Sequence, residues 1–174
     1  MGKKLKRTVC AVLTAAALIC MTSLTACGKS AWDIKVNGKS IDMPCSLDDM
    51  GDGYDYDFGA DFSGISAGED MFSVVLMQDD DNIGTARVEA DSKDDIDRKS
   101  KIHQLSIVKS MLGKDVISVA GVKCGADKSE VKKAFGEPDD PNATIWKYDK
   151  DGFKAMFFFD TEGKVTMLSI SDDK

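Results

Sequence analysis

The chain has 174 residues, 43% hydrophobic and 30% charged, with 23 Lys and Arg against 30 Asp and Glu and a formal net charge of −7. A surface of that sign is repelled by phosphate backbones and anionic headgroups, and no basic stripe interrupts it, so nucleic-acid binding is excluded. The length suits one ordinary domain with its own core.

Lys3, Lys4, Lys6 and Arg7 precede an uncharged apolar run from Val9 to Leu24. This order is that of an export signal. The run of about 16 residues is shorter than the roughly 20 that a spanning helix needs, and it ends in small residues, so cleavage is expected instead of a permanent span. Leu24-Thr25-Ala26-Cys27-Gly28 resembles the lipobox of bacterial lipoproteins. That resemblance implies removal of residues 1–26 and a diacylated Cys27 as the first mature residue; the alternative is an ordinary cleaved signal with a coincidental cysteine. Each buried lipid methylene contributes about 0.8 kcal/mol, and two or more chains make the attachment durable. The expected location is the extracytoplasmic face of the cell membrane. Losing residues 1–26 removes four basic residues and no acid, leaving 19 basic against 30 acidic and a formal charge of −11. Residues 27–33 then form a short linker, and lipid, not charge, is the link to the membrane.

Cys10 and Cys20 leave with the signal, so Cys45 and Cys124 are the two remaining thiols. A bridge between them would close a loop of about 80 residues and contribute about 4 kcal/mol on the chain-entropy model. The competing reading is two buried, unpaired thiols. No CxxC and no Cys/His set is present, so no metal site is expected.

In chain order, Ser46-Leu47-Asp48-Asp49 reads as the cap of a short helix, and residues 54–70, rich in Gly and Asp, read as loop with room for one added strand. Residues 71–77, 83–90 and 102–108 read as strands, with Asp79 to Asn82 as the first turn. After residue 113, Asp127 with Glu130 forms a capping-box pattern, and Val131, Ala134 and Phe135 follow at helical spacing up to Gly136 and Pro138. Residues 144–148, 153–159 and 164–170 are then β-rich and separated by tight-turn sequences. Cys45 and Cys124 each stand just before a helix, so the two halves, about 34–112 and 113–174, read as diverged copies. The predicted fold class is α+β, a single domain over 34–174 made of two pseudo-repeated units, each a short helix on a three- to four-stranded antiparallel sheet.

The stretch Val119-Ala120-Gly121-Val122-Lys123-Cys124-Gly125, continued by Glu130-Val131, Phe135-Gly136-Glu137-Pro138 and Gly163-Lys164-Val165, resembles a motif of small bacterial lipoproteins. These are the outer-membrane-assembly lipoproteins of the BamE/SmpA type and Gram-positive lipoproteins with the same pattern. A tandem of such units is similar to the β-lactamase inhibitor protein. The resemblance covers about 60 residues of the second half. It implies helices laid on an antiparallel sheet and non-enzymatic protein binding; fold likeness by itself is weak evidence of function.

No residue set points to a reaction. His103 is the single histidine and alternates onto the face of Leu105 and Ile107, where a half-buried structural role is favoured. A serine or cysteine nucleophile has no other base to use. The clusters Asp48-Asp49-Asp52, Asp55-Asp57, Asp79-Asp80-Asp81 and Asp139-Asp140 hold many oxygens, but none has the spacing of a calcium loop, and solvated turns are the better reading. No catalytic residue, metal or cofactor is predicted. Along Phe153 to Phe159 both strand faces are apolar: Phe153, Phe157 and Phe159 lie on one, Met156 and Phe158 on the other. With Trp146 and Leu168, the second face is a candidate partner patch; the competing reading is a second core layer. The expected function is an envelope lipoprotein that binds another envelope protein without catalysis, the alternative being a lipoprotein that binds a small ligand or cation through its acidic loops.

Overall fold

The computed structural model describes residues 30–59, 65–68, 70–108 and 117–172. Among them the chain forms β1 (Ile34–Val36), β2 (Lys39–Ile41), α1 (Leu47–Met50), β3 (Tyr54–Asp57), β4 (Ile65–Gly68), β5 (Met71–Gln78), β6 (Asp81–Glu89), β7 (Ile102–Val108), β8 (Ile117–Val119), α2 (Lys128–Phe135), β9 (Ile145–Lys150), β10 (Phe153–Phe159) and β11 (Val165–Asp172). A single 3₁₀ turn, Lys93–Asp95, lies between β6 and β7.

The strands make two sheets. The larger has eight, in the order β3-β5-β6-β7-β11-β10-β9, with β4 lying beyond β3 along the same edge of β5. Every pairing in it is antiparallel. The smaller runs β2-β1-β8. The two hairpin turns expected from their acidic residues form where positive φ is tolerated: Asp79 and Asp80 take φ of 47° and 69°, Asp151 and Gly152 take 51° and 80°. Paired positive values give the turn twist that matches the twist of the strands.

This architecture corrects the α+β expectation. The described residues are mostly strand, and the helices amount to one turn in α1 and eight residues in α2. Two separate helix-on-sheet units do not form, for two reasons visible in the pairing. β7 and β11 join side by side from Gln104 against Ser171 to Val108 against Met167, which merges the meanders of both halves into one sheet. The small sheet draws β1 and β2 from the first half and β8 from the second. Short helices follow from their ends: Ser46 and Asp49 cap α1 reciprocally, and Gly51, at φ 105°, ends it one turn later. In α2, the Glu130 carboxylate accepts from the Asp127 amide at 2.9 Å, and Gly136, at φ 94°, closes the helix.

One continuous core lies between one face of the large sheet and the small sheet and helices packed on it. Leu76, Leu105, Ile170, Ala155 and Phe157 contribute from the large sheet, Ile34, Val36 and Val119 from the small one, Leu47 and Met50 from α1, and Val131 from α2. Phe135 links the layers: its ring lies 4.8 Å from Phe157, 5.1 Å from Tyr148 and 5.2 Å from Trp32. Trp32 and the Ser30 hydroxyl, which accepts from the Met43 amide at 2.8 Å, hold the start of the described chain against the body.

Candidate functional site

Directly paired residues of antiparallel strands share a face, so the register sorts the predicted patch. Phe157 is opposite Trp146 on one side and Leu168 on the other. Trp146 and Leu168 therefore belong to the core face and are buried, at 2% and 0% exposure. Met156 and Phe158 do stand on the outer face, half-buried. The predicted four-residue patch is thus divided by the sheet, because alternation along one strand says nothing about the register of its neighbours.

Register supplies other companions for Phe158. Val108, Met167, Phe158 and Ile145 are successive cross-strand partners on β7, β11, β10 and β9. Strands about 4.8 Å apart make this a row of about 14 Å. Val108 and Ile145, at its ends, are each 39% exposed. Beside it the face turns polar: Ser106 and Ser169 hydroxyls are 2.9 Å apart, and Gln104 Nε2 donates to both. An apolar end and a hydroxyl-rich middle are what the outer face presents.

The row ends on an open sheet edge. The Phe159 amide donates to the Thr144 carbonyl at 2.9 Å. Counting along the β9–β10 register from that bond, Trp146, Tyr148 and Lys150 turn their backbone groups inward to β10. Ile145, Lys147 and Asp149 consequently turn theirs outward, and among the described residues nothing accepts or donates there. The segment before β9 stands beside this edge. Asp140 shapes it, its carboxylate accepting from the Asn142 amide at 2.9 Å and its carbonyl from the Ala143 amide. Lys128 of α2 pins it, donating to the Ala143 carbonyl at 3.1 Å while its ammonium sits 4.9 Å from the Trp146 ring centre and 5.1 Å from that of Phe159. Between segment and edge is a slot of about 140 Å³ lined by Pro138, Asp139, Asp140, Ala143, Ile145, Trp146 and Lys147. The Trp146 Nε1–H is buried without an acceptor among the described residues.

The opposite edge is built differently. By the same reasoning from the Asp79 amide bond to the Gly53 carbonyl, Tyr54 and Tyr56 of β3 face outward. Arg98 Nη1 donates to the Tyr54 carbonyl, and the Asp55 carboxylate accepts from the Tyr56 amide. Side chains of the protein itself thus occupy that edge. A groove of about 540 Å³ lies beside it, with Asp55, Asp57, Asp79, Asp80 and Arg98 in its lining. Among the described residues no group of three or more His, Cys, Asp or Glu is arranged to hold a metal ion.

His103 is fully buried, where the sequence suggested half-burial, because it sits at the β6–β7 register shift that turns both Ile102 and His103 inward. Its Nδ1 lies 2.9 Å from both Asp172 oxygens and its Nε2 3.2 Å from Glu89 Oε2. Both ring nitrogens are engaged by carboxylates, which leaves none to activate a nucleophile. Burial pushes the Cys45 thiol up to about 12, the reverse of a reactive cysteine. No disulfide joins Cys45 and Cys124. Cys45 pairs with Ile102 at one end of β7, and the Cys124 thiol donates to the Ile107 carbonyl near the other. Five residues of strand separate these points by about 16 Å, beyond the reach of a disulfide. Cys27 lies outside the described residues. No helix among those described is long and apolar enough to cross a membrane.

Comparison of the chain with protein-family models, with curated proteins and with solved structures yields no match. The open β9 edge escaped sequence reading altogether. The signal for it was present in weak form: Ile145, Lys147 and Asp149 alternate with Trp146 and Tyr148, as on a strand with one wet face, but edge position is a property of topology.

Proposed function

We propose that the chain is a non-catalytic, lipid-anchored module on the outer side of a membrane, which binds another envelope protein through the β9–β10 end of its large sheet. The observation that carries this reading is the apolar row Val108–Met167–Phe158–Ile145 running into an edge with open backbone groups. An apolar patch of this kind on a chain otherwise rich in charge is what a partner surface looks like. Absence of catalysis is supported by the carboxylates on both His103 nitrogens and by the raised Cys45 thiol. The anchor is supported by the export signal and by Cys27 in its lipobox-like setting.

A photoreactive amino acid at Phe158, compared with one at Lys39 on the far small sheet, tests the reading in cells that make the protein. Cross-linking to another chain from position 158 and not from 39 is the expected result. Equal labelling from both positions, or none from either, rejects the site.

A further inference from the structure

We propose that β9 receives an extended segment of a different protein chain as an added strand, with an apolar residue opposite Ile145 and an acidic residue opposite Lys147. This rests on the protein-binding reading above and specifies its mode.

The asymmetry of the two edges is the first ground. Unpaired strand edges invite further strands, and proteins block the ones they do not use. Here Arg98 and Asp55 take up one acceptor and one donor of the two outward residues of β3, whereas β9 keeps three outward donor–acceptor pairs at Ile145, Lys147 and Asp149. From the first to the last is about 13 Å, room for a strand of five residues. Backbone pairing supplies affinity in such additions and side-chain pockets supply selectivity.

The side chains beside the edge give the chemistry. On the outer side, Ile145 extends the apolar row, Lys147 has no ion pair among the described residues, and Asp149 already faces Lys154 at 3.8 Å. The net acidity of the chain makes an exposed, unpaired Lys147 a local attractor for a carboxylate. On the other side, a residue opposite Trp146 points toward the slot walled by Pro138 and Ala143. The slot's 140 Å³ accommodates one side chain.

A second copy of the chain does not meet these requirements. Antiparallel pairing of two β9 strands centred on Lys147 places lysine against lysine. Centring on Trp146 sets Ile145 against Lys147. Centring on Tyr148 matches Lys147 with Asp149 but carries Ile145 opposite Asp151, in the turn. Centring on Ile145 matches the two isoleucines but carries Lys147 opposite Ala143, which the Lys128 bond holds in the segment before β9. No register therefore gives Ile145 an apolar partner and Lys147 an acidic one together.

The test places p-benzoylphenylalanine at position 145 of the full chain, in cells that make it, alone and combined with Lys147→Thr, Lys147→Pro or Lys147→Glu. Proline removes the outward N–H of residue 147 without touching the inward bonds to β10. Expected are capture of one segment of alternating pattern with an acidic residue two places from an apolar one, retention with Lys147→Thr, at least a tenfold loss with Lys147→Pro and a several-fold loss with Lys147→Glu. That segment, made as a capped heptapeptide, should protect the amides of Ile145, Lys147 and Asp149 from hydrogen exchange. Capture that survives both Lys147→Pro and Lys147→Glu overturns strand addition while leaving protein binding in place. Cross-linking to a second copy of this chain overturns the choice of partner. No capture from either 145 or 158 removes both readings together.

Discussion

The Arg98 guanidinium donates to the backbone carbonyl of Tyr54, so a side chain from the loop after β6 closes the outward acceptor of an edge strand 44 residues earlier. The same group reaches the Leu47 and Gly51 carbonyls, and its Nε lies 3.1 Å from Asp48 Oδ1. It is therefore both the tie between α1 and β3 and the cover of the β3 edge. Arg98→Ala is expected to cost about 2 kcal/mol, the scale of charge-assisted hydrogen bonds lost to backbone carbonyls. Urea denaturation measures the loss. The variant should also associate with rising concentration in sedimentation velocity, since its β3 acceptors are then uncovered; a monomeric variant of unchanged stability would contradict this role.

Gly84 of β6 lies directly against the backbone of β7, opposite Ile107. A Cβ there would stand 2.0 Å from the Ser106 carbonyl oxygen, and its φ of 150° is one that L side chains avoid. Gly84→Ala should destabilise by about 3 kcal/mol or more, because backbone must move to admit the methyl. Thermal melting followed by circular dichroism gives the value. Gly38→Ala serves as the control, since its Cβ would meet nothing within 4 Å and only its φ of 80° opposes the change.

Alkaline pH should weaken the fold. Burial raises the Cys45 thiol from 9.0 to about 12 and the Tyr54 phenol from 10.0 to about 12, and it raises Tyr56 in the same direction. These groups are neutral when protonated, and the folded state holds their protons more tightly than the unfolded one. Their contribution is complete below about pH 9 and is lost as pH rises toward about 12. Urea midpoints should be flat from pH 7 to 8.5 and fall beyond it, and Cys45→Ala should shallow the slope. A midpoint that rises with alkali would refute the assignment.

Cys27→Ala tests the anchor. Residues 27–174 hold 19 basic against 30 acidic side chains, a balance that an anionic membrane repels. The variant should partition into the aqueous phase of Triton X-114 with an unchanged circular dichroism spectrum, whereas the parent enters the detergent phase. Retention of the variant in detergent would mean that something other than a lipid on Cys27 binds the membrane.

Much of the local structure was legible. The α2 cap at Asp127 and Glu130, the Asp151-Gly152 turn and the β-rich runs of β5, β7, β10 and β11 are set by short-range rules of capping, positive φ and strand propensity. β1, β2 and β8 were not, since three-residue strands carry too little pattern to be recognised. The loop expected at 54–70 contains β3 and β4, which exist because β5 is long enough to pair with both. Trp146 and Leu168 were grouped with the wrong face for a similar reason: composition marked them as apolar, but only pairing with Phe157 assigns their side.

The acidic charge, the α2 cap and the course of the main strands depend on composition and on residues close together in the chain, and so were legible without the fold. Tertiary structure decided that two expected α+β units would merge at β7 and β11, that Cys45 and Cys124 would stand at opposite ends of β7, and that β9 would be left as the open edge. Those outcomes depend on which strands become neighbours. Strand order is settled by long-range pairing and by how the whole apolar surface is covered, and no local pattern carries that information.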